Sequence, residues 1–105
     1  MTQTDFKLTL KDSLNTLINS KKESFEFLNH GSLSVKLYKP DKTDTQDIHM
    51  RDEIYVIANG SGEFIYEEER TNFHKDDIFF VPKGTHHRFE NFSDDFVTWV
   101  FFYGY

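Results

Sequence analysis

The residues of this chain that could do chemistry are histidines and a nearby carboxylate. His49 and Glu53 lie four positions apart, and His87 follows a Pro-x-Gly turn formed by Pro82 and Gly84. On an extended chain, positions 49 and 53 face the same side. Imidazole nitrogen and carboxylate oxygen both suit a divalent metal ion. The spacing alone is a weak signal: it fits a metal site and fits two ordinary surface residues equally well.

Cysteine chemistry is excluded, and the other histidines are weaker candidates for the site. The sequence has no cysteine, which excludes disulfides, thiolate ligands and cysteine nucleophiles. His86 directly precedes His87, so it is predicted to face the opposite side of a strand. His30 and His74 lie beside predicted turns, and we expect both side chains to be exposed to solvent.

Composition limits the functions open to the chain. Its 105 residues include 12 Lys plus Arg and 18 Asp plus Glu, for a formal net charge of −6. Nucleic-acid binding depends on neutralising phosphates, so an acidic chain without a basic patch is a poor candidate for it. The apolar runs are too short to span a membrane, and the first residues do not have the pattern of a secretory signal. We therefore expect a single cytoplasmic domain, residues 1–105, that binds neither nucleic acid nor membrane.

One weak helix signal precedes a series of short strands. Residues 12–20 predict a helix capped by Asp12 or Ser13 and ending near Ser20. Its apolar face comprises Leu14, Leu17 and Ile18. The predicted strands cover residues 24–28, 32–39, 53–58, 63–66, 78–81, 86–92 and 96–103. Strands and turns at this spacing are typical of an all-β sandwich or barrel.

Two turns are predicted in the middle of the chain. Asn59-Gly60-Ser61-Gly62 predicts a β-hairpin, because Asn-Gly readily adopts positive φ. The charged run at residues 67–70 is predicted to lie in a solvated turn, with no specific role.

The segment Asp47 to Gly60 resembles the first motif of the cupin family. That motif runs G, five residues, H-x-H, three or four residues, E, six residues, G. His49 matches its second histidine, Glu53 its glutamate and Gly60 its last glycine. Asp47 stands where the family has its first histidine.

A later segment resembles the second cupin motif, which runs G, five residues, P-x-G-x-x-H-x-x-x-N. The matching residues are Pro82, Gly84, His87 and Asn91. Lys75 or Asp76 stands at the opening glycine. The resemblance covers about residues 32–103. It implies an all-β cupin-type double-stranded β-helix, a jelly-roll barrel, preceded by a short N-terminal helix and first strand within residues 12–28.

The resemblance also implies a metal site. Cupins usually hold one metal ion on two histidines, a glutamate and a later histidine, so His49, Glu53 and His87 are the expected ligands. The ion would be divalent: Fe, Mn, Ni or Zn. Asp47 and Gln46 are candidates for a fourth ligand, and either is equally suited to hydrogen-bond a bound water. Protonated imidazole cannot bind a metal, so we expect binding to be best above pH ~6.5.

Strand alternation and the motifs suggest which side chains surround the metal. The predicted substrate pocket comprises Tyr55, Phe64, Tyr66, Phe89, Lys36 and Arg51. Packing in the core is the alternative role for the four rings, and an ion pair with Asp52 at the surface is the alternative for Arg51. Lys36 is placed to read an anionic substrate if its face points into the barrel. Tyr55 and Asp47 are the candidate catalytic residues, as groups able to shuttle a proton.

Three functions remain open at this point. The first is a metal-dependent enzyme of dioxygenase, isomerase or decarboxylase type that acts on a small organic molecule. The second is a non-catalytic module that binds or senses such a ligand, and the third is a metal-free barrel used for interaction. The strand predicted at residues 96–103 is apolar on both faces, with one face for the barrel core. The N-terminal helix or a second copy would cover the other face, and we expect a homodimer.

Overall fold

The computed structural model describes residues 6–45 and 48–104, which form one helix and eight strands. The elements are α1 (Leu10–Ser20), β1 (Ser24–His30), β2 (Leu33–Tyr38), β3 (Asp52–Asn59), β4 (Ser61–Tyr66), β5 (Glu69–His74), β6 (Ile78–Val81), β7 (His87–Glu90) and β8 (Val97–Tyr103).

The strands form two antiparallel sheets with a shared aromatic core. Five strands lie in the order β1-β2-β8-β3-β6, and three in the order β5-β4-β7. Side chains from both sheets meet in one buried cluster that includes Tyr55 of β3, Phe64 of β4 and Phe89 of β7. The predicted all-β jelly-roll architecture is confirmed. Because aromatic rings bury a large area each, few residues are needed to fill this core.

The hairpin predicted at residues 59–62 is wrong, because β3 and β4 belong to different sheets. Gly60 has a φ of +90°, and the chain passes from one sheet to the other at this residue. A Cβ added to Gly60 would lie 2.5 Å from the Cα of Phe96. The positive φ of Gly60 therefore allows the chain to turn from one sheet into the other. A tight hairpin turn needs the same backbone freedom, so the dipeptide alone does not distinguish the two.

The charged run at residues 67–70 contains a shorter turn than predicted. The turn occupies residues 67–68, and β5 begins at Glu69. This strand has no counterpart among the predicted strands, because Phe73 is its one buried residue among six. A mostly exposed strand lacks the apolar alternation from which strands are recognised.

The helix begins one turn earlier than predicted. Its N-cap is Thr9, whose hydroxyl accepts a hydrogen bond from the Asp12 amide at 3.2 Å. The side that packs on the sheet comprises Leu10, Leu14 and Leu17. Ile18 was predicted to lie on that side but is 55% exposed. Within residues 6–45 and 48–104, no helix has the length and apolar character that crossing a membrane requires.

The helix covers only part of the outer face of the five-stranded sheet. Leu17 packs in a second core with Leu37 of β2 and Val97 of β8. The far edge of this sheet is β6, where Ile78 is 66% exposed and Phe80 is 53% exposed. The apolar strand β8 is thus covered on its inner face by the barrel core and on part of its outer face by α1.

We predict that Gly60→Ala destabilises the fold much more than Gly31→Ala. Both glycines have positive φ, which costs an alanine about 1–2 kcal/mol. Nothing lies within 4 Å of a Cβ at Gly31, whereas the Phe96 backbone blocks one at Gly60. Overpacking adds about 1–3 kcal/mol at Gly60 alone. Urea unfolding of both variants measures the difference, and equal losses would contradict the steric argument.

Candidate metal centre

Two sheets and one loop bring the three predicted ligands together. His49 lies in the loop before β3, Glu53 is the second residue of β3, and His87 is the first residue of β7. Their potential ligand atoms all lie within 4.8 Å of one another. Because His49 precedes the strand, its position depends on the loop rather than on strand alternation.

Backbone hydrogen bonds hold the loop of His49 against the Pro-x-Gly turn. The Gly84 amide donates to the His49 carbonyl at 2.9 Å. Beside it, the Lys83 amide donates to Oδ1 of Asp52 at 2.9 Å. The turn that delivers His87 is therefore joined directly to the segment that carries the other two ligands.

Both ring nitrogens of His87 have polar partners that orient the ring. Its Nδ1 lies 2.9 Å from the Thr85 carbonyl, which can only accept, so Nδ1 carries a proton. Its Nε2 faces Oε1 of Glu53 at 2.8 Å and the hydroxyl of Tyr55 at 2.9 Å. In the neutral ring, Nε2 then presents a lone pair to the site, as a metal ligand must.

The surroundings of His87 favour a positive charge there. Burial by itself lowers the pKa of His87, because it penalises the charged imidazolium. The Glu53 carboxylate and the Thr85 carbonyl outweigh this effect and raise the pKa of His87 above its ordinary value. A cation between His87 and Glu53 is therefore stabilised, whether it is a proton or a metal ion.

Glu53 gives the strongest indication of a cation. It is 1% exposed, and neither of its carboxylate oxygens accepts a hydrogen bond from the described residues. With the ring proton on Nδ1, the contact to Nε2 of His87 brings two lone pairs together. A buried, uncompensated carboxylate costs several kcal/mol. A proton on Nε2 of His87 removes part of this cost, and a divalent ion on the three side chains removes it as well, so the donor set fits a metal ion.

His49 is the accessible member of the cluster. Its side chain is 31% exposed, and its Nε2 lies 4.0 Å from Oε1 of Glu53. The rings of His49 and Phe102 pack in a T-shaped arrangement, with centroids 5.1 Å apart. The site is therefore buried at Glu53 and His87 and open at His49.

The predicted pocket residues fall into two groups. The rings lie in or against the core: Tyr55, Phe64 and Phe89 are buried, and the half-buried Tyr66 packs against them. Lys36 and Arg51, in contrast, line a cavity of about 270 Å³ beside His49. The guanidinium of Arg51 donates to the Ser32 carbonyl rather than forming the alternative ion pair with Asp52.

Asp44 is a buried residue that sequence reasoning missed. It is 7% exposed, and its carboxylate accepts from the Tyr38 hydroxyl at 2.6 Å and from the Phe89 amide at 2.8 Å. Burial, reinforced by Asp44, raises the pKa of Tyr38 above its ordinary value. In the sequence, Asp44 stands in a polar loop. The one available signal was Tyr38 in a predicted strand, because the hydroxyl of a buried tyrosine needs a partner.

The remaining histidines lie outside the cluster. His30 and His74 are exposed, as predicted. His86 is also exposed, but it lies just before β7 rather than on the opposite face of a strand, as was predicted. Gln46 and Asp47 lie outside the described residues, so their roles as a fourth ligand, and that of Asp47 in proton transfer, stay predictions.

Comparisons with known proteins agree with this architecture. The family profile described as "Cupin domain" matches residues 34–103. An uncharacterized protein of Streptomyces coelicolor is 33% identical over 79 residues, which are 73% of this chain and 75% of that protein. Protein NMB1881 of Neisseria meningitidis has a similar structure, with a TM-score of 0.71 and 18% identity over 93% of this chain and 99% of that one. A Cupin 2 conserved barrel domain protein of Salinispora arenicola has a TM-score of 0.66 and 17% identity over 77% and 74% of the two chains.

We predict that Asp44→Ala destabilises the barrel by leaving two buried donors unpaired. Each orphaned donor costs about 1–3 kcal/mol, so the loss should exceed that of Tyr38→Phe, which removes only one hydrogen bond. Asp41→Ala, at an exposed position of the same loop, is the matched control and should be nearly neutral. Denaturant unfolding measures all three variants. Similar stabilities for Asp44→Ala and Asp41→Ala would contradict the role assigned to Asp44.

Proposed function

This chain belongs to the cupin family, and we propose that it binds one divalent metal ion through His49, Glu53 and His87 and holds a small organic molecule beside that ion. The observation that carries the proposal is the buried carboxylate of Glu53. It accepts no hydrogen bond from the described residues and faces Nε2 of His87 at 2.8 Å. A barrel used only for interaction has no need of such a charge in its core.

The ligand set suits Fe, Mn, Ni or Zn, because it combines imidazole nitrogen with carboxylate oxygen. Three protein ligands leave coordination positions open, as catalytic sites do and closed structural sites do not. When bound, such an ion supplies Lewis-acid polarisation of an oxygen atom on the organic molecule.

The protein residues around the site have separable roles. The Thr85 carbonyl fixes the tautomer of His87. Asp44 holds the strand that carries His87, through the amide of Phe89. The Tyr55 hydroxyl is buried 2.9 Å from Nε2 of His87 and is the proposed proton donor. These roles serve an enzyme of dioxygenase, isomerase or decarboxylase type, and equally a module that binds a ligand without turning it over.

We predict about one equivalent of divalent metal in purified protein and none in variants that lack a ligand. His49→Ala is the milder variant because this side chain is partly exposed, and His87→Ala and Glu53→Gln test the buried pair. His86→Ala is the matched control: the same residue type, one position away and exposed. Elemental analysis at pH 7.5 gives the metal content, and circular dichroism reports whether each variant folds.

Chelation provides a second measurement of the same site. Metal at a hundredfold excess over its dissociation constant stabilises a protein by about 2.7 kcal/mol, so a chelator should lower the melting temperature of the parent and of His86→Ala. The melting temperature of His49→Ala should not respond. If parent protein takes up no metal from a panel of divalent ions above pH 7, the metal proposal is wrong.

We propose a second copy of the chain as the partner, seated on β6. This strand is the edge of its sheet and carries Ile78 and Phe80 exposed on one face. Two such edges can pair antiparallel about a two-fold axis, because each then presents the same surface to the other.

We predict a dimer by light scattering after gel filtration and a monomer for Phe80→Lys. Met50→Lys, which changes an exposed apolar residue outside β6, should remain dimeric, and a monomeric parent would refute the pairing.

A further inference from the structure

Two cations and one aromatic ring form a cavity beside the metal ligands. Lys36 Nζ lies 5.4 Å from the centre of the Phe102 ring, and the Arg51 guanidinium carbon lies 5.9 Å from it. Both residues line the cavity of about 270 Å³ that also reaches His49. A second cavity of about 180 Å³ shares three of these residues: Lys36, His49 and Phe102. The cations therefore lie at the open side of the proposed metal site.

Neither cation forms an ion pair with a described residue. Among residues 6–45 and 48–104, no carboxylate oxygen lies within 4.0 Å of the side-chain nitrogens of Lys36 or Arg51. Arg51 is held by the Ser32 carbonyl, a neutral acceptor that fixes the guanidinium without cancelling its charge. The nearby carboxylate of Glu26 accepts hydrogen bonds from Ser34 and Asn29.

Resting on the proposed function, we propose that the organic molecule is a small monocarboxylate. Its carboxylate is bound by Lys36 and Arg51, and its apolar part lies against Phe102 and extends towards His49. Arginine matches a carboxylate with its planar fork, lysine adds a point charge, and an aromatic face accommodates apolar atoms. Specificity would thus reside in three side chains of which none is a metal ligand.

Charge and size narrow the class of ligand. With Glu26 at the rim, the two cations leave one net positive charge at their end of the cavity, which one carboxylate group neutralises. The charge of the proposed metal ion lies at the other end, where Glu53 offsets part of it. Glu26 keeps its negative charge at neutral pH, since hydrogen bonds from Ser34 and Asn29 lower its pKa. Pockets for drug-sized ligands measure about 300–1,000 Å³, so a cavity of about 270 Å³ fits a smaller molecule.

The test compares acids with uncharged analogues of the same shape. Benzoate with benzamide and butyrate with butyramide are titrated calorimetrically into metal-loaded protein, with inorganic phosphate as a further probe. At least one acid should bind about tenfold more tightly than its amide. Lys36→Met and Arg51→Met, which keep an apolar stem, should each weaken that acid about tenfold. Lys75→Met, in an exposed turn, is the control and should bind like the parent.

The outcomes separate this inference from the metal proposal. Equal affinity for acid and amide, or phosphate bound more tightly than either acid, overturns the assignment of a monocarboxylate even if the metal is present. Acid binding that Lys36→Met and Arg51→Met leave unchanged, in variants shown by melting curves to be folded, overturns the assignment of these residues. The same titrations on chelated protein and on Glu53→Gln measure acid binding in the absence of the metal. They establish whether Lys36 and Arg51 bind the acid even if the metal proposal is wrong.

Discussion

The structure depends on one contact, the buried carboxylate of Glu53 facing Nε2 of His87 across the two sheets. Glu53 belongs to the five-stranded sheet and His87 to the three-stranded sheet, so the contact exists only when the barrel is assembled. A charge in this position must be matched by a cation, because burial removes the water that would otherwise solvate it. Packing of the aromatic core around the pair must offset the free-energy cost of burying it.

The core and the candidate site consequently share side chains. The Tyr55 ring packs edge-on to Phe89, with centroids 5.0 Å apart, while its hydroxyl contacts His87. Asp44 adds a second buried carboxylate, but one whose oxygens are paired with the Tyr38 hydroxyl and the Phe89 amide. The two buried acids differ in their partners. The oxygens of Asp44 are hydrogen-bonded within the fold, whereas Glu53 faces Nε2 of His87 and could hold the proposed metal ion.

Sequence reasoning recovered most strands and the clustered side chains, and it missed features that the local pattern leaves ambiguous or that depend on distant contacts. Alternation and turn residues predicted most strands, and the two motifs predicted the three clustered side chains. The Asn-Gly corner was misassigned, because a hairpin and a sheet-to-sheet crossing require the same positive φ at Gly60. Asp44 was missed because its partner Phe89 is 45 positions away. The helix was started too late, because the side chain of Thr9 caps a turn that carries little apolar signal.

The register of β8 explains why the cations and the candidate metal ligands lie close together. This strand lies between β2 and β3, and Phe102 stands opposite Ser34 on one side and Glu53 on the other. Phe102 therefore borders both the cavity of Lys36 and Arg51 and the ring of His49. A slip of one residue would turn Phe102 to the outer face of the sheet and separate the two groups. The continuous apolar run in the sequence shows that β8 has two apolar faces. The pairing of Phe102 with Glu53 depends on the register between β8 and its neighbouring strands, which the run does not specify.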